Sequence, residues 1–224
     1  MLVGHVAVAL VAKGLQPRVS LGTAVVATLL SDLLLFLFVL AGVEHVAFRS
    51  STIPGEYFTG TDIALSHSLA MSLLWGAGVA AAALFAQRRR DFGVAGLIVA
   101  VAVSHWLLDV VSHRPFMPLA PGIREQIGWA AFTGIVPVMV IEGLLWAGAV
   151  ALYVSDSRST SSAGRYVFWG GIAALTYVWY YNAFLPPRIT PEEAPIEALI
   201  LLLLAIGWAY WMNRARVMKT VQLA

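Results

Sequence analysis

The sequence predicts an all-α fold: a polytopic transmembrane helical bundle with six full spans and a short N-terminal membrane half-helix. Three observations carry that expectation. Hydrophobic residues fill 60% of the 224 positions and charged residues only 12%, against about 25% charged in an ordinary soluble domain. Mean hydropathy is +0.82. Six stretches also approach the roughly 20 apolar residues that cross a ~30 Å hydrocarbon layer. So few charges cannot clothe a water-facing globule of this length, and a soluble globular protein is excluded.

The elements follow in order. Residues 2–12 are apolar but too short to span, and no basic residue precedes them as a secretory leader requires, so they read as a retained half-helix. Spans are expected at residues 19–42, 62–86, 92–113, 131–154, 165–185 and 195–212. Turn residues punctuate them at Pro54-Gly55, from Pro115 to Gly122, from Ser155 to Gly164, and at Pro186-Pro187 with Pro191. The Ser/Thr-rich run at 157–162 reads as a flexible loop. No internal repeat stands out, so the chain forms one integral membrane domain, 1–224. Residues 1–120 hold the candidate site, and 121–224 add further transmembrane helices.

Basic residues orient the spans. Lys13, Arg18, Arg88, Arg89, Arg90, Arg158, Arg165, Arg214, Arg216 and Lys219 fall at alternate junctions; Arg49, Arg114, Arg124 and Arg188 complete the 14 at the opposite ones. Loops rich in Lys and Arg stay in the cytoplasm. The expected location is therefore the cell inner membrane, multi-pass, with the C-terminus cytoplasmic and the N-terminal methionine near the outer face. A net charge of +2 is too small for a nucleic-acid footprint. The absence of cysteine excludes disulfides, iron–sulfur clusters and thiolate zinc sites.

Ionisable groups cost roughly 2.5–3.5 kcal/mol each at the centre of a membrane helix, so each asks for a reason. At ~1.5 Å per residue, Asp32 lies ~15 Å below the outer end of its span, His67 ~8 Å, His105 ~12 Å and Asp109 ~6 Å. His5 sits near the outer end of the half-helix. Three histidines and two aspartates thus reach the same outer half of the membrane. Within Ser104–His113, the residues His105, Asp109 and His113 recur at i, i+4 and i+8, and drift only about 40° per step around a helix. Imidazole with carboxylate suits Zn²⁺, Mn²⁺ or Fe²⁺. His5, Asp32, His67, His105 and Asp109 are the candidate metal ligands, with Asp32 and Asp109 the candidate catalytic carboxylates. His113 and Glu142 are candidates for supporting them.

Each of these residues also has a plainer reading. Asp32 can bond a neighbouring helix, and His67, between Ser66 and Ser68, can make a polar interhelical contact. His5 can be interfacial and His113 solvated at the end of its span. His45 beside Glu44 reads as a loop residue. Glu142, five residues after Pro137, reads as a structural partner. Arg114 at the rim can anchor the interface or bind a phosphate.

Gly4-His5, Leu30-Ser31-Asp32, Ser66-His67-Ser68 and Ser104-His105-Trp106-Leu107-Leu108-Asp109 resemble the bacterial family of inner-membrane metal-dependent hydrolases, in part LexA-regulated. The resemblance covers roughly residues 1–120. More distantly, the chain is similar to the zinc phospholipase C and S1/P1 nuclease group. It implies one metal held by Asp32, His67, His105 and Asp109, with Asp109 bridging to a second metal held by His5. The group's further His-x-x-x-Glu pair is absent, and Ser31 stands where the family has Pro.

The expected cofactor is therefore one or two divalent ions, zinc first. The expected activity is hydrolysis of a phosphoester in a membrane lipid or lipid-linked substrate at the outer leaflet. The same residues also admit a transporter or ion relay, a haem protein with paired histidines, and a non-catalytic metal-binding membrane subunit.

Overall fold

The computed structural model describes residues 2–48, 58–88, 90–113, 115–129, 135–184 and 193–219. The expected turns at Pro54-Gly55 and at Pro186-Pro187 with Pro191, the rim residue Arg114, and Met1 lie outside the described residues. Eight helices are described: α1 (Leu2–Leu15), α2 (Leu21–Leu40), α3 (Ala64–His67), α4 (Leu69–Gln87), α5 (Phe92–Ser112), α6 (Ile135–Asp156), α7 (Ser162–Phe184) and α8 (Ala194–Ala215). Three small two-stranded antiparallel sheets accompany them: β1 (His45–Phe48) with β2 (Phe58–Asp62), β3 (Met117–Pro118) with β4 (Gln126–Ile127), and β5 (Ser157–Ser159) with β6 (Arg216–Met218). The protein is an all-α membrane bundle.

Five described helices are long and apolar enough to cross a membrane: α2, α4, α5, residues Met139–Asp156 of α6, and α8. The stretch expected as a span at 165–185 forms the 23-residue α7, but α7 is not among the five. Its Arg165, its Asn182 and a run of Tyr and Trp lower its hydropathy. The short α1 is the centre of the bundle. It packs against α2, α5, α6 and α7, while α2 carries α3, α4, α5 and α8 around it. Val3, Val6, Leu10, Leu21, Val25, Leu29, Ile98 and Val101 are all at most 3% exposed, and they form the core between α1, α2 and α5. Being short and central, α1 need not meet lipid.

The span expected at 62–86 is not one helix. It opens in strand β2, makes one turn of α3 and restarts as α4 after Ser68, whose backbone is extended (φ −86°, ψ 154°). Serine side chains compete with the helix ladder for local bonds, and here Ser68 Oγ accepts from Met71 N at 3.3 Å, capping the new helix. Ala70 N, released by the break, donates to Leu119 O at 3.0 Å. The segment after α5 thereby folds back over the bundle end. Trp106 Nε1 donates to Pro118 O at 3.0 Å, and Met117 is fully buried against Trp106 and Val110.

Elsewhere the helix ends obey ordinary capping chemistry. Ser20 Oγ accepts from Thr23 N, and Asp91 Oδ1 accepts from Val94 N at 3.1 Å. Gly42 takes the left-handed conformation (φ +68°) that ends α2. The α4–α5 contact is close because a Cβ on Gly76 would lie 2.8 Å from Ala102 Cβ. Small residues at such positions let membrane helices approach.

The Ser/Thr run at 157–162 is not a free loop. Ser157–Ser159 pair with Arg216–Met218, and Ser157 is 3% exposed. Arg216, also buried, donates to Ser157 Oγ from Nε (3.0 Å) and Nη2 (2.9 Å), and to Ser159 Oγ from Nη1 (2.9 Å). Its guanidinium lies 4.3 Å from the Phe168 ring centroid. The partner strand is too distant in sequence for composition to reveal it. Basic residues gather at this end of the bundle. Arg18 pairs with Asp91 at 3.1 Å, Lys219 Nζ donates to Ser155 O, and a Cβ on Gly14 would lie 3.6 Å from Asp156 Oδ2.

Candidate metal centre

The site lies at the opposite end, where α1, α2, α3 and α5 converge. His105 and Asp109 sit on the buried stripe of α5 that also carries Val94, Ile98, Val101 and Ala102, a helical repeat facing α1 and α2. His5 enters from α1, Asp32 from α2, and His67 from the single turn of α3. His5, His67, His105 and Asp109 are buried, with side chains at most 7% exposed, while Asp32 keeps 25% of its side chain accessible.

The structure brings all five candidate ligands together. His105 Nε2 lies 3.1 Å from Asp109 Oδ2 and 3.7 Å from Asp32 Oδ1. His5 Nε2 lies 3.3 Å from Asp109 Oδ1, and His67 Nε2 lies 3.4 Å from Asp32 Oδ1. The His5 and His105 rings stack with centroids 3.8 Å apart, and the His67 ring meets His105 edge-on at 5.3 Å. Two groups of three have ligand atoms within 4.8 Å of one another: His5, His105 and Asp109; and Asp32, His67 and His105. His105 is common to both.

Second partners fix which ring nitrogen points inward. His105 Nδ1 lies 2.6 Å from the carbonyl of Thr28. A carbonyl only accepts, so Nδ1–H donates and Nε2 is the nitrogen left to face the aspartates. That Nε2 is buried and has no hydrogen-bond partner, although two carboxylate oxygens face it. On His67, Nδ1 lies 2.8 Å from Ser66 Oγ, whose own proton goes to Ile63 O at 3.4 Å, so Nε2 is again turned to the aspartate. Holding one imidazole nitrogen on a backbone or hydroxyl oxygen is how metal-ligating histidines are oriented.

The donor set fits a divalent ion. With the imidazoles neutral, as ligation requires, the two aspartates would leave two negative charges in an apolar interior, which a dication balances. The donor–donor spacings of 3.1–3.7 Å match the roughly 3.4 Å between ligands around a tetrahedral ion with bonds of about 2.0–2.1 Å. Buried His and Asp groups here could hold a metal ion. Since Nδ1 of His105 is engaged by Thr28, its one lone pair can serve only one ion.

His113 is not part of either triad. The equal spacing of His105, Asp109 and His113 predicts one shared face, but α5 ends at Ser112 and His113 is extended (φ −103°, ψ 158°). Its Nδ1 lies 3.8 Å from Asp109 Oδ1 and 2.9 Å from Ser112 Oγ, and its side chain is 35% exposed at the rim. Glu142 touches no metal candidate directly. Its Oε1 accepts from Gly4 N at 2.9 Å and its Oε2 from Trp179 Nε1 at 3.0 Å. It therefore caps the start of α1, one residue before His5, and ties that helix to α6 and α7. Thr28, whose carbonyl orients His105, carries no signal in sequence because the contact is made by backbone.

Fold and site define a helical membrane protein with a buried histidine–aspartate cluster of metal-ligating character. No protein-family model, curated protein or solved structure matches the chain.

Proposed function

We propose that this protein is a membrane-bound, metal-dependent hydrolase of the inner-membrane family it resembles. Its substrate on this reading is a phosphoester in a lipid or lipid-linked molecule at the outer leaflet. The observation that carries the reading is His105. Its Nδ1 is spent on Thr28 O, and its Nε2 points between the carboxylates of Asp109 and Asp32, 3.1 and 3.7 Å away. One imidazole nitrogen held on a backbone carbonyl and the other turned to two carboxylates is how metal-ligating histidines are oriented. The stacked His5 and His105 rings leave no slot between them for a planar macrocycle, which argues for an ion over haem. The apolar core formed by Val6, Leu10, Val25 and Ile98 offers no polar path toward the basic end, which argues against an ion relay.

His5, His67, His105, Asp32 and Asp109 would hold the ion, with zinc the first candidate for this nitrogen and oxygen set. A bound dication supplies Lewis-acid polarisation of a phosphoryl oxygen and lowers the pKa of water toward about 7. Asp109, fixed between His5 and His105, holds the two imidazoles in place. Asp32 is the most accessible of the five, and if it does not ligate the ion it is suited to accept a proton from water. The basic end lies in the cytoplasm by the distribution of Lys and Arg. That orientation puts the C-terminus inside and the site in the outer half of an inner membrane.

The test is metal analysis of detergent-purified protein, followed by assay of that metal-loaded protein on phospholipid and polyprenyl phosphoesters. One ion per chain, with turnover lost in Asp109→Asn while the fold is retained, is the expected result. Full metal loading without turnover on any phosphoester would leave a non-catalytic metal-binding subunit. Folded protein that takes up no first-row divalent ion would end the proposal.

A further inference from the structure

Glu44 is as buried as the histidines, at 1% exposed, yet it belongs to neither triad. It follows α2, the helix that carries Asp32, and is rooted there through its own N–H to Phe38 O at 3.3 Å. Its carboxylate reaches across to α3. Oε1 accepts from Leu65 N at 2.8 Å and from Ser66 N at 2.9 Å, while Oε2 is buried without a hydrogen-bond partner.

These two N–H groups are orphan donors of the first helical turn, which a capping side chain ordinarily satisfies. In α3 the residue at the N-cap position is Ile63, which makes no side-chain cap bond. Glu44 does this work from 21 residues away in the chain. A four-residue helix has almost no ladder of its own, so its orientation depends on that cap. The next links are direct: Ser66 Oγ holds His67 Nδ1 at 2.8 Å, and His67 Nε2 faces Asp32 at 3.4 Å.

We infer that Glu44 is a positioning residue for His67. It fixes the α3 turn to the end of α2, so that His67 and Asp32 meet at ligand spacing. The inference rests on the metal-centre reading for its consequence, but not for its geometry. Reach, not charge, is what the contact requires. Gln keeps the accepting oxygen, and its amide nitrogen falls where Oε2 has no bond to lose. Asp keeps the charge but is one methylene short of Leu65 N and Ser66 N.

The experiment compares full-length wild type with Glu44→Gln, Glu44→Asp and Glu44→Ala in detergent. The first readout is ¹⁵N NMR of ring-labelled histidine in metal-free protein, with the His67 signal assigned by its loss in His67→Ala. The second is Co²⁺ titration. The expected order is wild type close to Gln, then Asp, then Ala. Gln should keep the single Nδ1–H tautomer of His67 and an affinity within about threefold. Ala should average the tautomers and weaken Co²⁺ binding by roughly 10–100-fold, the usual cost of losing an outer support. If Ala does not fold, the ranking of Gln above Asp still decides.

Asp equal to wild type with Gln impaired would make Glu44 a charged ligand and overturn the inference. Unchanged His67 signals and affinity in both Ala and Asp would overturn it as well. Should wild type bind no Co²⁺ while the tautomer ranking holds, the metal reading fails and the positioning role stands.

Discussion

At the scale of single residues, His105 should matter most. It alone belongs to both ligand triads and has one nitrogen to give. His105→Ala should remove most bound metal, His67→Ala or His5→Ala a smaller share, and His113→Ala almost none; metal per chain after gel filtration checks the series. Ligating imidazoles must be unprotonated, so acid should strip the ion from wild type as well. A second residue-scale expectation concerns Asp91, at the basic end. Val94 N–H, and then Arg18, hold its carboxyl below the ordinary carboxylate value. A depressed folded-state pKa stabilises above the unfolded value and is lost as pH falls through the folded one. The advantage of wild type over Asp91→Asn in melting temperature should therefore be full above about pH 4 and fade below it. An equal gap at pH 3 and pH 7 would show that the charge contributes nothing.

At the scale of elements, the α4–α5 contact is set by Gly76. A methyl group there meets Ala102 Cβ at 2.8 Å and Val99 Cα at 3.3 Å, neither of which can swing aside. Gly76→Ala gains helix propensity but must push α4 off α5, at a net cost of roughly 1–3 kcal/mol. Thermal unfolding in detergent should register that loss; a rise in stability would mean the helices have slack. Elements also mark where sequence was legible. The apolar runs of α2, α4, α5, α6 and α8 declared themselves because a bilayer leaves helices few alternatives. His105 and Asp109 were visible as a pair because four residues is one helical turn. His113 leaves the shared face because the spacing holds only while the helix lasts, and the helix stops at Ser112. Thr28 acts through its carbonyl and Glu44 through backbone N–H groups, so neither the residue type nor its spacing announces the contact.

At the scale of the whole molecule, one end is basic and the other holds the cluster, an asymmetry that Lys and Arg placement already foretold. A cysteine introduced at Gly122, beside the β3–β4 hairpin, should react with an impermeant thiol reagent in intact cells. One at Gln87, the last residue of α4, should be protected until the membrane is opened. Labelling at Gln87 alone would invert the orientation and move the site to the cytoplasmic half. The six expected spans correspond to six long helices of differing polarity. Five helices meet the length and hydropathy of a span, α7 has the length but a more polar composition, and α1 is enclosed by its neighbours.

The pairing of Ser157–Ser159 with Arg216–Met218 has a consequence for how the protein is made. Ser157 and Arg216 are 59 residues apart. At about 5–20 residues per second, the ribosome delivers the second roughly 3–12 s after the first. Through that interval α6, α7 and α8 have no clasp between them, and Phe168 waits for the guanidinium that covers it. Assembly of this half of the protein therefore finishes last, from the C-terminal side. A stop codon after Ala215 should yield chains that insert into the membrane yet are cut rapidly by protease near Ser157, while full-length chains resist.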